Sequence, residues 1–459
     1  MKIFLVPLII LLPLFYSLIF SFIKSEDKRR QFSLISFTSL ILILGFAGAF
    51  IGPSNIHFID VGLEFNVDTE SFALAFFYTL IILLSQYFLP KYSHETLLTP
   101  FLLVNTSLNY GLLFSNNLKL ILFFFITSLI PTAIYIRKNN LSSRMFLIFN
   151  SISLIILSLG FLILSQEGVL STELKEISKI VHHNQYTMAG SLLILIGVMI
   201  REGIFPFHSW LRAFIGNTNI NYSLSFIFSH AGFMIFYKLV MPLLGHELSG
   251  VILAFTVCTI FTSLYFAGLG LVETELNYIF AAIFCSESAV IMSGFELHNK
   301  VGLYGSLFEW MALTISIGGF GIILYLLKKR AGITNIKHHL GLFSKTPKLA
   351  VFFLLFGLFS VGLPAGMGFI GEDLLIHGIV EHYPFLGLII VVAISFNGIN
   401  IYRIYNRLFL GETPSDLYCD DLKNRESFYF ISILMVLVFL GLMPFLLLKK
   451  DFFNTQFLN

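Results

Sequence analysis

Of 459 residues, 57% are hydrophobic and only 12% charged, and the 53 phenylalanines outnumber the 28 lysines and arginines together. Soluble domains carry roughly 25% charged residues, so a water-soluble enzyme of this size would lack the polar surface it needs, and a mean hydropathy of +0.87 points the same way. Disordered, collagen-like and disulfide-scaffold classes are excluded with it, leaving an all-α polytopic membrane protein embedded in a lipid bilayer. The net charge of +2 and the absence of a dense basic run argue against a nucleic-acid partner. Cys258, Cys285 and Cys419 have no CxxC spacing, so neither a disulfide frame nor a metal site is expected.

A helix needs about 20 apolar residues to cross the hydrocarbon core. By that measure spans are predicted over 1–23, 32–52, 70–89, 98–115, 118–136, 144–165, 188–207, 219–244, 249–271, 276–296, 302–327, 347–380, 385–410 and 427–447. The first is read as a span and not a signal peptide, because no small-residue cleavage site precedes Lys24. Fourteen spans put both termini on one side. Loops after odd-numbered spans hold nineteen of the 28 cations, the opposite side seven, and Arg201 and Lys238 lie within spans. The positive-inside bias therefore predicts a bacterial cytoplasmic (inner) membrane protein with both termini outside. No soluble domain is expected, and residues 1–459 read as one transmembrane domain. The external loop 166–187, with Glu167, Glu173, Glu176, His182 and His183, reads as a solvated loop. The basic connection 328–346 is expected to meet lipid headgroups or a partner protein.

A charge at mid-bilayer costs roughly 2.5–3.5 kcal/mol on insertion scales, so each one asks for a partner, water or a function. Span seven ends Arg201-Glu202-Gly203-Ile204-Phe205-Pro206-Phe207-His208, and Pro206 should break the helix. Arg201 and His208 are two turns apart and share a face if the helix persists; Arg201 beside Glu202 also reads as a snorkelling structural pair. Span eight holds His230 with Lys238 eight residues on, and spans ten and eleven hold the isolated carboxylates Glu287 and Glu309. A lone histidine in an apolar helix is commonly a packing residue, but its chemistry also suits a proton shuttle. Span twelve reads Gly362-Leu363-Pro364-Ala365-Gly366-Met367-Gly368-Phe369-Ile370-Gly371-Glu372-Asp373, the broken-helix pattern of transporters. Two broken spans, seven and twelve, predict an internal inverted repeat of about five spans, with pseudo-repeats near 98–244 and 249–410. Distributed over five spans, these residues read together as a polar path through the bilayer.

At these residues the chain resembles the antiporter-like subunit family of respiratory complex I, membrane-bound hydrogenases and Mrp antiporters, of the chain M (mitochondrial subunit 4) type. The motifs are Phe65–Phe72 (FNVDTESF), Pro206–Leu211 (PFHSWL), Gly362–Glu372 (GLPAGMGFIGE), Arg403–Glu412 (RIYNRLFLGE) and Asp421–Glu426 (DLKNRE). The resemblance puts Arg201 at the family's span-seven lysine, His230 at its span-eight relay lysine, Glu309 near its span-eleven histidine and Glu372 at its terminal carboxylate. It implies two half-channels joined by a hydrated axis. The chain departs from the pattern at Ile126, which falls where the span-five glutamate is usual, at Gly216-Asn217-Thr218-Asn219 and at Glu275-Leu276-Asn277.

The resemblance implies a proton- or cation-conducting subunit of a multi-subunit energy-converting complex, such as an NADH:quinone oxidoreductase, a hydrogenase or an Mrp antiporter. Its partners would be sister antiporter-like chains or a redox module. His230 is expected as relay, Glu372 as terminal acid, Arg201 as fixed charge and Glu309 as central link, with Glu202, His208, Lys238 and Glu287 beside them. No nucleotide loop, haem ligand pair or iron–sulfur cysteine set is present in the sequence, so no cofactor is expected. Two alternatives stand beside this: a cation channel serving a large soluble zinc protein in inorganic-carbon uptake, and a non-conducting structural subunit.

Overall fold

The computed structural model describes residues 2–50, 54–58, 63–89, 98–138, 144–166, 185–228, 230–241, 249–297, 299–412 and 418–447. Most of the external loop 166–187, including its acidic residues and histidine pair, lies outside the described residues. Eleven helical stretches among the described residues are long and apolar enough to cross a membrane, one of them, Ile220–Val240, made of shorter pieces. The other three predicted spans correspond to the shorter Leu98–Phe114, to Gln185–Glu202, and to the two-part Pro347–Phe359 and Met367–Val380. The chain divides into two compact units. One comprises Met1–Trp210, Tyr222–Val251 and Lys450–Asn459, and the other Leu211–Asn221 and Ile252–Lys449.

In the first unit the helices are α1 (Lys2–Phe22), α2 (Glu26–Phe50), α3 (Thr69–Tyr87), α4 (Leu98–Phe114), α5 (Leu118–Lys138), α6 (Arg144–Gln166) and α7 (Gln185–Glu202). The division between units falls within α8 (Ser209–Asn217) and the start of α9 (Ile220–Ile227). α10 (Ala231–Ile235) continues as a π-helical turn, Phe236–Val240. The helical expectation gains one addition, an antiparallel hairpin of β1 (Ser54–Phe58) and β2 (Leu63–Val67), in register from Ser54–Val67 to Phe58–Leu63. β2 leads directly to Asp68, whose carboxylate accepts from the Ser71 amide at 2.7 Å and so caps α3. α1 packs on α4, α2 on α3, α6 on α7, and α10 on α7 and α4. α6 and α7 approach closely at Gly160, where an added methyl would lie 2.8 Å from the Gly190 carbonyl.

The second unit is built around α12 (Leu276–Glu296) and the 32-residue α13 (Lys300–Ala331), buried along nearly their whole length. At 1.5 Å per residue α13 is about 48 Å long, more than a hydrocarbon core requires. Asn299 caps its start through the Gly302 amide at 2.6 Å, and Gly332 at φ 68° ends it. Around this pair lie α11 (Ser249–Val272), α14 (Pro347–Phe359), α15 (Met367–Val380), α16 (Pro384–Phe409) and α17 (Asn424–Leu442). α15 sits tightly on α13 because Gly371 and Gly378 face its backbone, and a methyl at either would come within 2.7 Å of a main-chain nitrogen. The loop 328–346 is tied down by Ile336 N–H to the Thr274 carbonyl (2.9 Å) and Leu340 N–H to the Arg407 carbonyl (2.9 Å). Asp421 accepts from the amides of Lys348 (3.1 Å) and Leu349 (3.0 Å), satisfying the free donors of α14. α16 and α17 turn large apolar side chains outward, including Phe385 (72% exposed) and Met435 (62%). Such faces suit lipid or an apolar partner.

Candidate functional site

In the first unit, α7 ends at Glu202 and the chain turns through Gly203, at φ 68°, before α8 begins at Ser209. The predicted break is present. Because the helix stops at Glu202, it does not persist to His208, and Arg201 and His208 share no helix face. His208 lies half-buried in the turn, its ring stacked on Phe205 with centroids 5.6 Å apart, and burial lowers its imidazole below the ordinary histidine value. Arg201 is buried. Its guanidinium donates to the Asn150 side-chain oxygen at 2.6 Å and lies 4.1 Å from the Phe226 ring centroid and 5.3 Å from that of Phe125. The adjacent Glu202 turns away from it. Its Oε1 accepts from the Gly232 amide at 2.7 Å and its Oε2 lies 3.4 Å from His230 Nδ1.

That contact exists because span eight is also broken. α9 ends at Ile227, α10 begins at Ala231, and His230 between them has left-handed backbone (φ 37°) with its ring stacked on Phe233. A non-glycine residue there carries strain, which such sites concentrate. Lys238 belongs to the π-helical turn and is buried apart from the Glu202–His230 contact. Its ammonium donates to the carbonyls of Leu113 and Ser115 and feels the charges of Asp68 and Glu70. Next to it the Tyr237 hydroxyl donates to both oxygens of Glu70, at 3.0 and 2.9 Å.

In the second unit, α14 gives way at Phe359 to a turn in which Gly362 (φ 72°) and Ala365 (φ 74°) are left-handed. Pro364 lies between them, Gly366 caps α15, and Gly368 lies in its first turn. This short connection lets Glu372, one turn into α15, reach back so that a methyl at Gly362 would strike its carboxylate. Glu309, on α13, faces α15, and a methyl at Gly371 would stand 2.8 Å from its Oε2. Neither Glu309 oxygen has a hydrogen-bond partner among the described residues, nor does Glu372 Oε1. Glu287, on α12, accepts from the Asn397 amide at 2.6 Å. The charges of Glu287, Glu309 and Glu372 act on one another, and none of the three makes an ion pair among the described residues.

Sequence reasoning left out Asn150, Asp68, Glu70, Tyr237, Asn397 and Glu296. Asp68 and Glu70 stood inside a quoted motif, where their place at the head of an apolar run was the available signal. Asn150 and Asn397 carry no charge, so nothing in their apolar helices marked them. Among the described residues no group of three or more His, Cys, Asp or Glu has the geometry to hold a metal ion.

Residues 115–397 match the family described as "NADH:quinone oxidoreductase/Mrp antiporter, TM". The chain is 25% identical to NADH-quinone oxidoreductase subunit M of Rickettsia prowazekii (strain Madrid E) over 460 aligned positions, covering 94% of this chain and 93% of the relative. Its fold matches a chain of respiratory complex I from Thermus thermophilus (TM-score 0.87, 19% identity, 96% of each chain). It also matches a chain of the Mrp complex from Dietzia sp. DQ12-45-1b (TM-score 0.82, 15% identity, 96% of this chain and 95% of that one).

Proposed function

The chain belongs to the NADH:quinone oxidoreductase/Mrp antiporter transmembrane family, and from that membership we propose that it carries protons across the membrane as one antiporter-like subunit of a multi-subunit energy-converting complex. The observation that carries this reading is the set of three buried carboxyl groups, Glu287, Glu309 and Glu372, of which Glu372 follows a helix break and Glu309 packs against it, without an ion pair among the described residues. Ionised at mid-bilayer, each would cost roughly 2.5–3.5 kcal/mol. A carboxyl in such surroundings is least costly as the neutral acid, so each holds one proton that it can release and replace, while mutual repulsion disfavours emptying all three together. In the first unit the Glu202–His230 contact offers a second exchange point, and Arg201 supplies a fixed positive charge that biases it.

The partners are other membrane subunits, sister antiporter-like chains or a redox module, since relatives of this size and fold stand in such assemblies. The breaks in spans seven and twelve, five apart in order, support pseudo-repeats near 98–244 and 249–410. The cation asymmetry supports a bacterial cytoplasmic membrane with both termini outside.

The test is proton transfer by the intact complex, purified from native membranes and reconstituted in vesicles with an internal pH-sensitive dye. Glu309→Gln and Glu372→Gln keep shape and remove the exchangeable proton, and each is expected to lower flux by about tenfold or more with unchanged subunit composition. Undiminished flux in both variants overturns the reading. Recovery of the chain with only a large soluble zinc protein would place it in a different assembly.

A further inference from the structure

Glu296, the last residue of α12, is 1% exposed and has no place in the carboxylate set described above. Its Oε1 accepts from the Thr259 hydroxyl of α11 at 2.9 Å, while its Oε2 has no hydrogen-bond partner among the described residues. A buried carboxyl with one oxygen held and the other unpaired is costly unless that oxygen has a use. Nine residues separate Glu296 from Glu287, about 13 Å along the helix axis, too far for direct transfer.

The polar side chains between them are not scattered. On α11, Thr256, Thr259 and Ser263 follow at helical spacing and are all buried, whereas Val257, Phe261 and Tyr265 on the same helix are 41–46% exposed. Ser263 Oγ lies 3.2 Å from Ser286 Oγ, and Ser286 also donates to the Ser263 carbonyl at 2.9 Å in an alternative orientation of its hydroxyl. Asn397 of α16 donates to Ser286 Oγ at 2.8 Å and to Glu287 Oε1 at 2.6 Å. The sequence of groups is therefore Glu287, Asn397, Ser286, Ser263, then one helical turn to Thr259 and Glu296. Adjacent positions one turn apart stand roughly 5–6 Å from each other, a gap that a single water spans.

We propose that Glu296 is a proton-carrying group at the end of the second unit's path, joined to Glu287 by the buried hydroxyls of Thr259, Ser263 and Ser286. This rests on the proton-transfer reading above and extends it. The hydroxyls both donate and accept, so they can hand a proton along, and Asn397 holds Ser286 and Glu287 in line. Thr259 hands its hydroxyl proton to Oε1 of Glu296 and takes the next from the Ser263 side, while Glu296 releases one proton from Oε2 on the far side. No electron moves and no bond other than O–H is made or broken. Leu276 N–H bonds to the Thr334 carbonyl at 2.9 Å, fixing the start of α12 beside the basic loop 328–346. Glu296 therefore serves the opposite end of the helix from that loop.

The test compares Glu296→Gln, Glu296→Asp and Glu372→Gln in the intact complex, reconstituted with an internal pH dye. Gln at 296 keeps volume and the Thr259 hydrogen bond, so a purely structural role predicts wild-type flux. The proposal predicts at least a severalfold loss with Gln and substantial rescue with Asp. Loss in Glu372→Gln with wild-type flux in Glu296→Gln overturns the proposal and leaves the general reading standing; wild-type flux in both overturns both. If the 296 variants do not assemble, the wild-type complex decides. Dicyclohexylcarbodiimide adds to protonated carboxyls in apolar surroundings, and an adduct mapped to Glu296 that slows flux supports the proposal. Adducts confined to other carboxyls sink it.

Discussion

A guanidinium keeps its proton throughout the physiological range, so Arg201, bonded to Asn150 and set against the rings of Phe125 and Phe226, supplies a field and not a mobile proton. Its neighbour in the chain, Glu202, turns instead to His230. Both oxygens of Glu202 are engaged, one by the Gly232 amide and one by the imidazole, so this carboxylate also caps the restart of span eight. A methyl at position 232 would lie 2.5 Å from Glu202 Oε1 and 2.6 Å from its Cγ. Gly232→Ala is therefore expected to push the carboxylate off both partners, destabilising the chain by about 1–3 kcal/mol and lowering flux. Glu202→Gln removes the charge at nearly constant shape. Thermal unfolding of the purified complex should separate them, with a lower Tm for Gly232→Ala and a near wild-type Tm with reduced flux for Glu202→Gln. Equal Tm and flux in both would mean that the contact is incidental.

At the scale of the element, Glu202, His230 and Glu372 each lie beside a helix break, whereas Glu287 and Glu309 lie within unbroken helices. Freed backbone at membrane depth is tolerated only beside protein or water, and the α14–α15 turn meets that condition by folding Glu372 against Gly362. Two glycines separate backbone strain from this packing. Gly332 has φ 68° and open space around its Cβ position, whereas at Gly362, φ 72°, a methyl would also strike the Glu372 carboxylate. Gly332→Ala should cost only the left-handed backbone, about 1–2 kcal/mol, with proton flux intact. Gly362→Ala should cost more and also reduce flux, measured as Tm and vesicle acidification; a flux as intact as that of Gly332→Ala would detach the turn from function. The breaks at Pro206 and Gly362–Gly368 were readable in the sequence because proline and glycine act through the backbone itself. The break at His230 was not, since no local residue type there forces one, and the Glu202 carboxylate that meets the Gly232 amide beyond it comes from another helix. Span positions were legible from hydropathy, while the hairpin Ser54–Val67 was hidden by its short strands. Likewise Glu296 looked like a span boundary because burial by α11 cannot be read from α12 alone.

At the scale of the whole molecule, the two compact units carry different buried charges. Each compact unit holds its own buried ionisable set, and the sets differ in kind. The first contains both signs, Arg201 and Lys238 with Glu202, Asp68 and Glu70; the second contains carboxyls without a cationic partner among the described residues. A set that holds cations acts partly through its field, whereas a set of carboxyls alone acts by gaining or losing protons. Either use requires a defined orientation, because a transmembrane potential acts with opposite sign on a reversed chain, about 2.3 kcal/mol per charge per 100 mV. The cation asymmetry fixes the expectation: Arg425 faces the cytoplasm and His382 the outside. Both are exposed in the structure. The natural thiols interfere little, since Cys285 and Cys419 are buried and burial pushes the Cys419 thiol up, away from the reactive thiolate; replacing Cys258 with serine removes the third. In that background His382→Cys should react with a membrane-impermeant maleimide in intact cells, and Arg425→Cys only after the membrane is opened. The reverse pattern would invert the orientation and with it the direction in which Glu296 delivers its proton, placing the basic loop 328–346 outside and both termini within.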